Sequence, residues 1–368
     1  MDIVSIISNP VGAAATALHE LLKSLMPEWL AALLMAIIGA GLLATIVSGA
    51  VILLVWMERK IIAKMQDRSG PNRVGPFGLL QTVADAVKLL SKEDIVPARV
   101  DKIIWALSPI VVLAAALMAW AVIPWSPGVV PADLNVGVLF LLSMGSLPVI
   151  GVVMAGWGSN NKYALLGGMR SAAQLVSYEI PGVLAALVPV MLAGTMSLSG
   201  IVAAQEMPTR YLGIANWWFI FTPWGFLAFI VFLISGIAET NRTPFDLIEA
   251  ESELAAGFHT EYSGMRFALF FLAEYANVFA VSAIGATLFL GGWAGPIPFV
   301  PSAGPGIIYF LGKTFFLVFV FMWIRSTLPR LRYDQLMNFA WKRLLPTGLV
   351  VVGITAAWIT TSKSFLGA

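Results

Sequence analysis

Between Ala238 and Glu253 the chain reads Ala-Glu-Thr-Asn-Arg-Thr-Pro-Phe-Asp-Leu-Ile-Glu-Ala-Glu-Ser-Glu, and Glu261 follows shortly after, so six carboxylates lie between two long apolar segments. Acids gathered on so apolar a background suit proton or ion handling, because a carboxylate near a membrane is costly unless paired, hydrated or protonated. Asp246, Glu249 and Glu253 fall at i, i+3 and i+7, one face of a helix, while Glu251 points elsewhere. Thr243, Pro244 and Asp246 stand where an N-cap, a first helical residue and N3 would stand, so a helix is predicted to start at Thr243. The helix dipole accounts for Asp246 alone. The set as a whole is too dense for a mere solvated face, since like charges repel; proton storage or an electrostatic switch fits it better. Phe258-His259-Thr260-Glu261-Tyr262 adds further titratable groups.

Two more acids, Glu179 and Glu274, fall inside apolar segments. An ionised carboxylate at such depth costs about 2.5–3.5 kcal/mol on insertion scales, so each should face water or a partner. The structural alternative is a hydrogen bond between helices, with the neighbouring Tyr178 and Tyr275 available to other helices. Glu239 ends a segment close to Arg242, and a local ion pair is its structural alternative. Upstream, Glu58-Arg59-Lys60 opens a long polar connection in which two Gly-Pro pairs force turns. Residues 78–91 then read as an amphipathic helix, with Gln81, Asp85 and Lys88 on one face and Leu79, Leu80, Val83, Val87 and Leu90 mostly opposed. It is either an interfacial anchor or one wall of a lateral opening for a lipid-soluble ligand. Arg325, Arg330 and Arg332 cluster in the last polar connection, as anchoring charges or as a docking surface for soluble subunits.

The elements that must position these groups are membrane helices. Of 368 residues 59% are hydrophobic and 11% charged, and the mean hydropathy is +0.87. About 20 apolar residues span a bilayer, and eight spans are predicted at 29–57, 103–124, 135–157, 175–195, 216–238, 265–292, 306–324 and 343–361. The connections 58–102, 158–174, 239–266 and 325–343 hold eighteen of the 22 Lys and Arg residues. The positive-inside rule therefore predicts these four on the inner side and both termini on the outer, periplasmic side. The expectation is an all-α polytopic membrane protein with inner amphipathic helices. Residues 1–28 form an outer or interfacial segment, 29–361 one transmembrane domain and 362–368 a tail.

There is no cysteine, and His19 and His259 fall on opposite sides of the predicted membrane. No disulfide, thiolate-held iron–sulfur cluster, haem or metal site is expected from this chain alone. A formal net charge of +2 points to no nucleic-acid partner, and Met-Asp-Ile lacks the basic start of a cleaved signal peptide.

At Glu58-Arg-Lys60, Gly70-Pro-Asn-Arg-Val-Gly-Pro-Phe-Gly-Leu-Leu-Gln81, Glu239-Thr-Asn-Arg-Thr-Pro-Phe-Asp246, Glu261-Tyr262, Ala273-Glu-Tyr-Ala-Asn277 and Arg330-Leu-Arg-Tyr-Asp-Gln335 the chain resembles the family of H-type membrane subunits of respiratory complex I, the proton-pumping NADH:quinone oxidoreductase. The resemblance covers roughly Trp56 to Arg343. It implies a subunit at the junction of membrane and peripheral arms, forming much of a chamber for the quinone headgroup, with buried carboxylates leading toward the pump modules. It further implies that Glu179, Glu239, Glu249, Glu251, Glu253, Glu261 and Glu274 match the acidic path. Arg59, Gln81, Asp85, Lys88, Arg242 and Arg325 match the chamber or its entrance. Quinone, ubiquinone or menaquinone, would be the substrate, reduced at the interface with peripheral quinone-module and iron–sulfur subunits; small membrane subunits and lipid would be the other neighbours. The membrane would be the bacterial plasma membrane, or the mitochondrial inner membrane for an organellar chain. Alternatives are the equivalent subunit of a ferredoxin-fed or hydrogenase-type relative and, from another class, an ion-coupled secondary transporter. The inverted repeat with paired broken helices that would favour the transporter is not apparent.

Overall fold

The computed structural model describes residues 10–206, 218–246, 256–295 and 306–366. Among these residues the architecture is helical, apart from one isolated bridge between Ser126 and Val129. In lipid a backbone must satisfy its own hydrogen bonds, and helices do so within each segment. In chain order the helices are α1 (Pro10–Leu25), α2 (Glu28–Met65), α3 (Gln81–Ser91), α4 (Lys102–Ala119), α5 (Gly137–Gly158), α6 (Lys162–Ala193), α7 (Leu198–Glu206), α8 (Pro223–Glu239), α9 (Gly264–Phe289), α10 (Gly306–Thr327), α11 (Tyr333–Phe339) and α12 (Leu345–Leu366). A π turn, Ala340–Leu344, joins α11 to α12.

Among the described residues, seven helical stretches are long and apolar enough to cross a membrane: α2, α4, α5, α6, α9, α10 and the continuous stretch Tyr333–Thr361. The fifth predicted span is the shorter apolar α8 of 17 residues. Pro223 occupies its first turn, and Thr222 caps it by accepting the Gly225 N–H at 3.1 Å. The eight predicted spans are thus eight helical stretches, but two predicted inner connections are largely helix. Asn161 accepts the Tyr163 N–H at 2.9 Å and starts α6 at Lys162, so Arg170 rides on a helix. Residues 333–343 likewise continue into α12. Hydropathy marks only the apolar part of a helix, whereas backbone hydrogen bonding carries on into the polar turns.

Two local expectations are corrected. The amphipathic helix begins at Gln81 rather than at residue 78, because Pro76–Gly78 forms a separate 3-10 turn. Gly78 has φ +77°, and a Cβ there would lie 2.1 Å from the Pro71 carbonyl oxygen, so only glycine lets the loop close. Nor does a helix start at Thr243: residues 243–246 are turn and open chain. Tertiary hydrogen bonds override the capping pattern. Gln174 Nε2 donates to the Ala238 and Phe245 carbonyls, both at 2.8 Å, and Leu331 N–H donates to the Pro244 carbonyl at 3.0 Å.

In the apolar windows of α6 and α9 50% of residues are buried, against 11% in α2, so α6 and α9 form the centre and α2 a lipid-facing edge. α4 packs on α5 and α9, α5 on α6, α6 on α8 and α12, and α9 on α10. Small residues set the closest approaches, as expected between membrane helices. A Cβ on Gly167 of α6 would fall 2.7 Å from Gly257 Cα and 2.9 Å from Phe258 N, in the turn that carries His259. Gly167→Ala should therefore push that turn outward and destabilise the fold by about 1–3 kcal/mol, the usual cost of overpacking. Thermal denaturation of the assembled protein in detergent would register this as a lowered midpoint, whereas an unchanged midpoint would mean that the turn yields freely.

Candidate functional site

The charged site begins where α2 leaves its apolar stretch. Glu58 is buried there and receives Arg325 Nη1 from α10 and Arg242 Nη1 at 3.1 and 3.3 Å. Arg242 Nε lies 2.9 Å from Glu274 Oε1 of α9, and the guanidinium stands 4.1 Å over the Tyr275 ring. Two acids and two bases from four separate segments thus alternate as Arg325–Glu58–Arg242–Glu274. Arg242 arrives there because α8 ends at Glu239 and Asn241 adopts a left-handed φ of +53°. Arg242 N–H then closes on the Ile237 carbonyl at 3.2 Å, turning the side chain back into the bundle. Asn is one of the few non-glycine residues that tolerate this conformation. Arg242 Nη2 is buried without a hydrogen-bond partner among the described residues.

Beyond this ladder lie two cavities. One, of about 50 Å³, is lined by Glu239, Thr240, Asn241, His259, Glu274 and Asn277, with apolar walls from α4, α5, α6 and α9. The other, of about 80 Å³, is lined by Glu179, Glu239, Asn277 and small residues including Gly145, Gly182, Ser235 and Gly236. Each is roomy enough for several waters at about 10–15 Å³ of accessible volume apiece. Glu239 and Asn277 line both, so Glu239 stands on the shared wall. Glu179 accepts a hydrogen bond from Ser146. A Cβ on Gly145 would meet Glu239 Oε1 at 3.1 Å, so this glycine makes room for the carboxyl group. The local ion pair of Glu239 with Arg242 does not form, because Arg242 is committed to Glu58 and Glu274.

The predicted chamber residues form a second cluster. Arg59 Nη1 pairs with Asp85 at 2.6 Å, Lys88 Nζ lies 3.8 Å from Asp85, and Gln81 Nε2 reaches it at 3.5 Å. Leu79, Leu80, Val83, Val87 and Leu90 of this segment are exposed. Because Arg59 follows Glu58, one turn of α2 carries both this cluster and the ladder. Glu261 accepts from Asn161 Nδ2 at 2.7 Å, and Asp246 pairs with Arg330 at 2.9 Å. Glu249, Glu251 and Glu253 lie outside the described residues. Tyr178 donates to the Leu336 carbonyl at 2.9 Å, and Tyr275 sits under Arg242, so each tyrosine beside an acid within an apolar helix does serve another element. Sequence reasoning does not single out Glu58, Asn277 or His259 as site residues. Glu58 is the most legible of them, an acid immediately after a predicted span.

Fold and site define a polytopic helical membrane protein with a paired, cavity-linked line of carboxylates leading in from its Lys- and Arg-rich end. A family model described as NADH dehydrogenase matches residues 38–356. The chain is 52% identical over 307 residues to the H subunit of NADH-quinone oxidoreductase from Dehalococcoides mccartyi, covering 83% of this chain and 82% of that one. It is 51% identical over 314 residues to the protein of the same name from Rhodospirillum rubrum, covering 85% and 90%. With that from Bacteroides fragilis it shares 47% identity over 343 residues, covering 90% and 93%. The chain belongs to the NADH dehydrogenase family represented by these membrane subunits.

His259 packs against the Phe258, Phe267 and Phe270 rings at 3.8, 5.7 and 5.1 Å, and burial pushes its pKa down to about 3 from the ordinary 6.5. The folded protein therefore keeps a neutral imidazole where an unfolded chain would gain a proton. This contribution to stability is complete above about pH 6.5 and is lost progressively as pH falls toward 3. Thermal midpoints followed downward from pH 7 should drop more steeply for the wild type than for His259→Gln. Parallel curves would show that His259 titrates freely.

Proposed function

We propose that this chain is the membrane subunit of an NADH-quinone oxidoreductase that couples quinone reduction to proton movement through its buried carboxylates. The membership in that family and the relatives' shared name support the first part. The second rests on one observation: Glu239 forms a wall of both interior cavities, between the Glu274 end of the ion-pair ladder and Glu179. Quinone is the substrate, and its reduction takes up two electrons and two protons. The electrons come from partner subunits of the peripheral arm, and the chain itself supplies charge and shape. The exposed apolar face of α3 meets lipid tails, while Gln81, Asp85, Lys88 and Arg59 line the chamber entrance. The setting is the bacterial plasma membrane, with small membrane subunits as further neighbours.

Arg242 is the hinge of the coupling. It is shared by Glu58 and Glu274, and a guanidinium drawn toward one carboxylate weakens its hold on the other. A charge change near Glu58 and Arg325 thus alters the proton affinity of Glu274. From there a proton reaches Glu239 and Glu179 through the cavities, so a redox event is passed on without an electron entering the membrane.

Glu239→Gln keeps the shape and removes the exchangeable proton. Quinone-linked turnover and proton pumping should fall at least about tenfold, the low end of what a positioned acid–base group contributes. NADH oxidation by a hydrophilic artificial acceptor should stay intact in the assembled complex. Normal pumping in an assembled Glu239→Gln, Glu179→Gln double variant would reduce both residues to structural hydrogen-bonders. For the chamber, a photoreactive quinone analogue should label α3 or the adjoining turns of α2 and α9, and labelling confined to the opposite end of the bundle would contradict the placement.

A further inference from the structure

Lys313 of α10 is a buried charge far from the ladder. Twelve positions of the same helix, about 18 Å, separate it from Arg325. The other buried charged residues among those described, Glu58, Arg242 and Asp246, all have ion-pair partners. Lys313 is in no ion pair among the described residues. Its Nζ donates instead to the Gly292 and Ala294 carbonyls at 3.0 and 2.6 Å and stands 4.2 Å over the Trp218 ring. Two carbonyl oxygens and an indole face all favour positive charge, and a neutral amine there would leave its own lone pair without a donor. The site is therefore built for an ammonium that no carboxylate among the described residues neutralises. Gly291, Gly292 and Gly295 have φ of +73°, +48° and +44°, and a Cβ on Gly291 would meet the Trp218 ring at 2.8 Å. The loop is thus shaped to fold over the ammonium.

The same turn follows directly on the end of α9 whose last turns line the larger cavity. The cavity lining runs from Glu179 and Glu239 to Ile284 and Leu288, in the last turns of α9 and well beyond Glu274. Gln205 holds the Thr287 and Leu288 carbonyls at 3.0 and 3.3 Å, and Gly292 N–H binds the Ala286 carbonyl at 2.9 Å. We propose that Lys313 is an electrostatic stopper, a cation without an ion-pair partner just beyond the far end of the carboxylate cavity that keeps protons from escaping across that side of the membrane. Fixed positive charges exclude protons and cations from membrane pores in the same way. The proposal rests on the reading of Glu239 and Glu179 as proton-carrying groups, and it adds what insulates them.

The test is passive proton permeability of liposomes holding the intact complex, measured with a pH-sensitive dye, without NADH or quinone. A unit charge acting across roughly 10 Å at an effective dielectric of about 20 changes a rate on the order of tenfold. Lys313→Gln should raise the leak by about that factor, and Lys313→Arg should stay as tight as the wild type. Adding Glu239→Gln to Lys313→Gln should close the leak again. A Lys313→Gln complex as tight as the wild type, or a leak indifferent to Glu239→Gln, would overturn the proposal. Should Lys313→Gln not assemble, Lys313→Arg and Trp218→Phe decide. Both retain the charge and should be tight, and a leak in either would make the seal one of packing rather than charge. Because no turnover is involved, a tight Lys313→Gln complex that still needs Glu239 for pumping would sink the stopper and leave the coupling reading standing.

Discussion

Everything at the Lys- and Arg-rich end depends on Arg242 being held by two carboxylates at once. A buried guanidinium without a counter-charge is costly, and removing one member of a buried pair typically costs about 3–5 kcal/mol. Here Glu58 comes from α2 and Glu274 from α9, so the two ion pairs tie the lipid-facing edge helix to the central one. Arg325 adds α10 through Glu58. Four segments are thereby held in register at this end by charge as well as by packing.

The same constraint explains why residues 243–246, just after α8, are not the helix start their sequence advertises. A helix from Thr243 would need those residues' backbone groups for its own ladder, but Gln174, Leu331 and the Arg242 carbonyl already bind the Phe245 and Pro244 groups. Asp246 pairs with Arg330 instead of serving a cap. The turn keeps Arg242 aimed inward and leaves Glu239 free of it, opening onto two cavities instead of being neutralised beside its neighbour in sequence.

Much of this is legible without coordinates. The eight apolar segments, the amphipathic stretch with Gln81, Asp85 and Lys88, and the placing of Glu179 and Glu274 within apolar helices follow from composition and hydropathy. What stays hidden is partnership. Arg242 stands three residues from Glu239 and 184 positions from Glu58, yet it pairs with the distant residue. Nothing in the spacing tells a long-range pair from a local one. His259 is equally opaque: in sequence it is one more titratable group, and only the ring of phenylalanines around it shows an imidazole kept neutral. Helix ends escape the hydropathy pattern wherever polar turns continue an apolar helix, as at Lys162 and Tyr333.

The two cavities adjoin at Glu239 and Asn277 rather than merging, and together they offer only about 50 and 80 Å³. A sodium ion with its water shell does not fit through a wall made of a carboxyl and an amide group. A proton does not need to fit, since it can bind one carboxyl oxygen and leave from the other. For the coupling proposed above, a wall this narrow would serve only a species able to travel by exchanging bonds.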